Sequence, residues 1–112
     1  MSKDKIYIFD TTLRDGAQTE GVDFSVDDKK KIANVLSQIG VDYIEGGWPG
    51  ANPVDTEFFS KAPKLNESTL TAFGMTKKTG RSVENDPSIS SLINADCSAV
   101  CIVGKTWDFH VK

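Results

Sequence analysis

The sequence is poor in groups that staple a fold or hold a soft metal. It has two cysteines, Cys97 and Cys101, and one histidine, His110. With Cys101 in a strand and Cys97 just before it, their Cα atoms lie about 13 Å apart at about 3.3 Å per residue. A disulfide spans less than about 7 Å, so two buried free thiols are expected. His110 adds too little for a structural zinc site. The net charge is small and negative, −3, which excludes a basic surface and any nucleic-acid partner that would need one. No apolar run nears the roughly 20 residues of a membrane span, so no membrane partner is expected. The start, Met1-Ser2-Lys3-Asp4-Lys5, has no apolar signal region and no cleavage site. A cytoplasmic location is therefore the expectation. Gly-rich phosphate loops, internal repeats and flexible linkers are also missing.

What is present is the composition of an ordinary globular chain. Apolar residues make 38% and charged residues 26% of 112 positions, enough for one domain at most. Apolar runs alternate with helical patterns. Residues 5–9 read as a first strand. Ser25 reads as a helix N-cap with Asp28 in the reciprocal position. Val26, Ile32, Val35, Leu36 and Ile39 then fall on one helical face, and Gly40 stops the helix. Lys29-Lys30-Lys31, preceded by Asp27-Asp28, reads as the solvated face of that helix. A second strand is expected over Val41–Glu45. Asn52-Pro53 opens a second helix whose buried face carries Val54, Phe58 and Phe59. A third strand follows over Thr69–Phe73. Asp86-Pro87 opens a third helix with Ile89, Leu92 and Ile93 inward, and Ala99–Val103 forms the fourth strand. The long stretch Gly74–Asn85, with Lys77, Lys78, Gly80 and Arg81, lies between the third strand and third helix.

Strands thus start near 5, 41, 69 and 99, a βαβ rhythm of about 30 residues. Four parallel strands and three helices describe either a small open α/β protein or half of an eight-stranded barrel, which needs about twice this length. Three strands end abruptly in polar residues: Asp10 to Gln18 after the first, Glu45-Gly46-Gly47 after the second, and Gly104-Lys105 after the fourth. The carboxyl ends of strands are where such sheets do chemistry. On residues alone, Arg14 and Glu45 are as readily an ion pair tying two strand ends together. Asp15 before Gly16 is as readily a turn residue, and Asp10 is read as the cap of that turn. Trp48 and Trp107 are expected to pack under loops. Gly46-Gly47 would let backbone approach a ligand closely.

The run Asp10-Thr-Thr-Leu-Arg14-Asp15-Gly-Ala-Gln18, followed after a capped helix by Tyr43-Ile44-Glu45, carries a resemblance. The chain resembles the N-terminal part of the synthases and lyases that share an Asp-Arg-Glu signature on a TIM barrel. These include the isopropylmalate, homocitrate and citramalate synthases and hydroxymethylglutaryl-CoA lyase. Thr19-Glu20-Gly21, Val41 to Gly50, and Gly104-Lys105-Thr106-Trp107-Asp108-Phe109-His110 make it most similar to the citramalate synthase branch. The resemblance implies that residues 1–112 are the N-terminal half of a (β/α)8 barrel catalytic domain, with no second domain. It implies a Claisen condensation of acetyl-CoA with a 2-oxo acid, pyruvate in this branch, in an enzyme of homodimeric habit. It also implies a divalent metal, Mg or Mn, on Asp15, completed by a His-x-His pair that this sequence, with its single histidine, does not contain.

The residue types suit that chemistry. Charge builds on the keto oxygen during the condensation, which calls for a hard Lewis acid and a fixed cation beside it. Asp15 is a hard oxygen donor. Arg14 is expected to bind and polarise the substrate, with Glu45 as the partner carboxylate that holds its fork rigid. Gln18 is expected to hydrogen-bond substrate, and His110, just past the fourth strand, to line the substrate pocket. With one carboxylate ligand and no His-x-His pair, the isolated chain is expected to be incomplete for catalysis.

Overall fold

The computed structural model describes residues 5–75, 91, 95 and 97–104. Four strands form one parallel sheet in the order β1-β2-β3-β4: β1 (Phe9–Asp10), β2 (Tyr43–Gly47), β3 (Thr69–Met75) and β4 (Ala99–Val103). Helices α1 (Val26–Gln38) and α2 (Pro53–Ser60) connect the first three strands. Chain order equals spatial order, as in successive units of a (β/α)8 barrel. The third helix expected from Asp86, and the Lys77 to Arg81 stretch, lie outside the described residues.

Both helices begin where the sequence signals it. Ser25 Oγ accepts from the Asp28 amide at 3.1 Å while Asp28 Oδ2 accepts from the Ser25 amide at 3.0 Å, closing a capping box. The Ser25 amide and hydroxyl lower the Asp28 carboxyl below its ordinary value of 3.8. A carboxylate depressed by folding stabilises above its unfolded pKa and loses that contribution as the pH falls through the folded value. The cap therefore weakens only below pH 3.8, as the pH falls through the lowered folded value. Asn52 Oδ1 accepts from the Asp55 amide at 2.8 Å, and Pro53 fills the first turn of α2. At the other end of α1, Gly40 sits at φ +92°. Its amide reaches the Ser37 carbonyl and the Val41 amide reaches that of Leu36, the paired bonds of a Schellman stop.

The strands depart from the sequence expectation at their limits. The first is two residues long rather than five. Residues 5–8 lie outside the ladder, although the Ile8 carbonyl accepts from the Asp42 and Tyr43 amides and the Ile8 amide donates to Asp42 at 2.8 Å. Ile6, Tyr7, Ile8 and Phe9 are exposed. The second strand starts two residues later than expected and runs through Gly47, and the third extends to Met75.

The core lies between the sheet and the helices. Ile44, Leu70 and Ala72 from the strands meet Ala33 of α1 and Phe58 and Phe59 of α2, with Leu13 and Val41 completing the cluster. Each large apolar side chain so buried contributes about 1.5–3 kcal/mol relative to exposure. Phe58 and Phe59 are buried as expected, and Val54 is half-buried. The inner face of α1 differs from the apolar stripe. Its buried residues are Lys29, Ala33 and Ser37, while Val35 and Ile39 are 56% and 71% exposed. The apolar stripe is wider than the surface the described elements cover. The reading of Lys29 as part of a solvated face is therefore wrong for that residue, which is 1% exposed.

Gly46 belongs to this packing. A Cβ there would lie 2.6 Å from Phe58 Cε2 and 3.1 Å from both Leu70 Cδ1 and Phe59 Cζ. The glycine makes room for the protein's own phenylalanines, not for a ligand. Gly46→Ala is expected to destabilise the fold by about 1–3 kcal/mol through overpacking. Gly16→Ala, whose Cβ would meet only Thr12 at 3.5 Å, should cost clearly less. Urea unfolding of the two variants side by side checks this, and equal midpoints would contradict it.

Candidate active site

Side chains alternate across a strand. Since Ile44, Leu70 and Ala72 face the helices, Glu45, Thr71 and Phe73 face the opposite side. Glu45 pairs in register with Thr71, and Phe73 with Cys101. This face is where the polar residues gather.

Arg14 arrives from the loop after β1. Asp10 organises that loop: its carboxylate accepts from the Thr12 amide at 2.9 Å and the Thr12 hydroxyl at 3.1 Å. The amides of Arg14, Asp15 and Gly16 then converge on the Thr11 carbonyl. Asp10 is thus a turn former, as expected. The Leu13 side chain plunges into the core, fully buried, and Arg14 swings over the sheet. Its Nε donates to Glu45 Oε1, and its guanidinium carbon stands 4.2 Å from the centroid of the Phe73 ring. Trp48 meets the same ring edge-on at 5.1 Å.

The Glu45 carboxylate is 1% exposed and the Arg14 side chain 19%. A carboxylate buried this far is sustained by a paired cation. With the Nε edge of the fork committed to Glu45, the Nη1 end faces outward. It lies 3.4 Å from Gln18 Oε1 and 3.7 Å from Asp15 Oδ1. Asp15 is 64% exposed at the mouth. The sequence-named residues Arg14, Asp15, Gln18 and Glu45 therefore come together. His110 lies outside the described residues, as do Lys105 and Trp107. Arg14 and Gln18 also line a cleft of about 440 Å³ with Trp48, Asn52 and Asp55.

Three further residues were missed in the sequence. Lys29 Nζ donates to the carbonyls of Leu13 at 2.7 Å and Gly46 at 2.8 Å, and to Asp55 Oδ1 at 2.5 Å. The other Asp55 oxygen accepts from the Trp48 amide and from Asn52. Gly47, at φ +150°, has no Cβ to collide with that carboxylate, which would be 2.6–2.9 Å away. Thr71 Oγ1, on the Glu45 face, is buried without a hydrogen-bond partner among the described residues. Nothing local in the sequence marks a threonine inside an apolar strand. Lys29 carried one overlooked signal: it shares the helical spacing of Ala33 and Ser37.

Both cysteines are only partly buried, less than expected. Burial pushes the Cys101 thiol above its ordinary value of 9.0, the nearby Glu45 carboxylate adds to the rise, and Arg14 opposes it.

The described residues contain no group of three His, Cys, Asp or Glu side chains able to hold a metal. Asp15 fits as one hard, accessible oxygen donor of such a site, not as the whole of it. No helix among the described residues is long and apolar enough to cross a membrane.

A parallel α/β sheet in sequential order, with charged residues gathered past its carboxyl ends, is the layout of an α/β-barrel protein. The chain belongs to the HMGL-like family, whose model matches residues 5–112. That family is built on a TIM barrel, and the four strands fit its N-terminal half. The chain is 54% identical over 110 residues to the (R)-citramalate synthase of Aquifex aeolicus, covering 96% of this chain and 21% of that protein. It is 47% identical over 108 residues to the (R)-citramalate synthase of Geobacter sulfurreducens, covering 95% and 20%. The 2-isopropylmalate synthase of Sulfurisphaera tokodaii is 38% identical over 108 residues, covering 96% and 26%. The chain spans about a fifth of the length of the citramalate synthases it matches.

Replacing Glu45 by Gln removes the carboxylate charge that raises the Cys101 thiol. Cys101 in Glu45→Gln is expected to be alkylated faster by iodoacetamide between pH 8 and 9, with Cys97 as the internal reference. Peptide mass spectrometry over a pH series reads this. A Cys101 rate unchanged relative to Cys97 would mean the carboxylate does not act on the thiol.

Proposed function

We propose that this chain supplies the first half of the catalytic barrel of a citramalate-synthase-type acyltransferase, residues 1–112 belonging to that one domain. The reaction would join acetyl-CoA to pyruvate and release CoA. The observation that carries the reading is the buried Glu45 carboxylate locked to Arg14 beside an exposed Asp15, in a chain 54% identical to a named (R)-citramalate synthase. The isopropylmalate reading ranks second, on the lower identity of 38%.

Arg14 is the substrate-binding and catalytic cation. Its orientation is set before substrate arrives, by Glu45 on one edge and the Phe73 ring beneath. Preorganised positive charge stabilises an oxyanion without reorganising at the moment of reaction. The outward Nη1 end is therefore placed to meet the keto oxygen of a 2-oxo acid as charge grows there. Gln18, beside it, supplies an amide for the substrate carboxylate or a water. Glu45 acts by holding the fork and does not itself take up the acetyl proton, because it is already engaged. Asp15 would be the protein's first ligand to Mg or Mn, and a divalent metal there would polarise the 2-oxo acid as a Lewis acid. His110 is assigned to the substrate pocket. Among the described residues Asp15 is the one exposed carboxylate paired with Arg14 at the mouth of the site, and the sequence has one histidine. The isolated chain should therefore not catalyse CoA release.

A chimera in which this chain replaces the matching 110 residues of the Aquifex aeolicus enzyme tests the reading. It is expected to release CoA from acetyl-CoA with pyruvate, and poorly with the branched 2-oxo acid that would yield 2-isopropylmalate. The reverse preference would favour the second reading. In the active chimera, Arg14→Ala should lower turnover about 10²- to 10³-fold, the usual cost of one lost oxyanion contact. Its melting temperature should fall, because Glu45 loses the cation that sustains its buried charge, so turnover is compared at a temperature where circular dichroism shows both chimeras folded. Near-normal turnover would make the arginine structural.

A further inference from the structure

We propose that Lys29 is a positioning residue for the Arg14–Glu45 pair, its buried ammonium pinning the two backbone segments that carry the arginine and the glutamate. The catalytic part of this claim rests on the function proposed above, and the geometric part does not.

The three hydrogens of an ammonium find three acceptors here. Two of these are backbone carbonyls, Leu13 at 2.7 Å and Gly46 at 2.8 Å. Leu13 immediately precedes Arg14, and Gly46 immediately follows Glu45. The third acceptor is Asp55 Oδ1 at 2.5 Å. Asp55 is anchored in turn by the Trp48 amide at 2.9 Å and by Asn52 at 3.1 Å. One ammonium thus ties the loop after β1, the end of β2 and the start of α2 to α1. Arg14 and Glu45 are 31 positions apart in the chain. Beyond their own contact, this cation bonds a backbone carbonyl next to each of them.

The position is not explained by stability. Lys29 is 1% exposed and packs 5.7 Å from the centroid of the Phe58 ring. Replacing a buried ion pair by uncharged groups is often neutral or favourable, so the fold would tolerate the loss of both charges, Lys29 and Asp55, together. What an apolar side chain at position 29 does not do is draw two carbonyls to one point. A misplacement of about 1 Å at a reacting group costs about a hundredfold in rate, so the pull on Leu13 and Gly46 has a direct use.

The test compares Lys29→Met/Asp55→Asn, which removes both charges and keeps the Asp55 hydrogen-bonding shape, with Lys31→Met, the same change on the exposed side of α1. The first readout is the ¹⁵N–¹H signal of Arg14 Nε in this 112-residue chain, assigned by its loss in Arg14→Lys. We expect a slowly exchanging signal in the parent chain and in Lys31→Met. In the double variant it should exchange fast with solvent or vanish, while circular dichroism stays that of the parent. A retained, slowly exchanging signal overturns the proposal whatever the enzyme does. Should the double variant lose its dichroism, Lys29→Leu/Asp55→Asn, equally without the ammonium and without an unpaired charge, takes its place, with the same two outcomes. The second readout is kinetic, in the chimera. Turnover should fall roughly tenfold to a hundredfold with KM for pyruvate changed less, and the loss should shrink in an Arg14→Ala background. Losses that simply add would make Lys29 structural only. A chimera without citramalate-forming activity would count against the proposed function, leaving the Nε signal to decide the geometric claim.

Discussion

The arrangement of the strand ends turns on the burial of one ammonium group. Four segments of chain meet at Lys29, and three of them present it an oxygen. Taking a lone cation out of water is prohibitive, so the segments are obliged to supply those oxygens together or not at all. That obligation brings the loop after β1, the end of β2 and the start of α2 together at one point of α1. Gly46 and Gly47 follow from the same constraint. The first makes way for Phe58 and Phe59, the second for the Asp55 carboxylate. A side chain at either would push α2 away from the strand end.

On the far side of the sheet the logic is reversed. There the charged pair is Arg14 and Glu45, and one member keeps a face toward solvent. Glu45 is sealed beneath, between β1 and β3, and its charge is answered by an arginine that is itself held by an aromatic ring. The two ion pairs sit back to back across β2, one facing the helices and one facing the open side. Helix-side polar groups are satisfied by protein. The mouth leaves Asp15 and Gln18 accessible, and Thr71 Oγ1 without a partner among the described residues. Membership of a barrel family gives this asymmetry a simple sense. In a closed barrel the open side is the lumen, and strands β1 and β4, whose Phe9, Val100 and Ile102 are exposed here, have neighbours.

Much of this was legible in the residues. Ser25, Asp28, Gly40, Asn52 and Pro53 punctuate the helices through bonds made within a few residues, so their signals are local and their reading held. The spacing of Arg14 and Glu45 after apolar runs likewise brought the right pair to one end of the sheet, because in a βαβ rhythm every strand ends on the same side.

Other features depended on contacts between distant segments. The sequence writes Lys29 as one of three lysines in a row, and only its helical spacing from Ala33 and Ser37 separates it from Lys30 and Lys31. Its burial was decided by Asp55, 26 positions away, and by two carbonyls whose convergence exists only after folding. Val35 and Ile39 show the converse, apolar residues with the right period and nothing described to cover them. Periodicity reports which side chains share a face. Whether that face meets core or solvent, and whether a cation on it finds three oxygens, is settled by the packing of elements the period does not see.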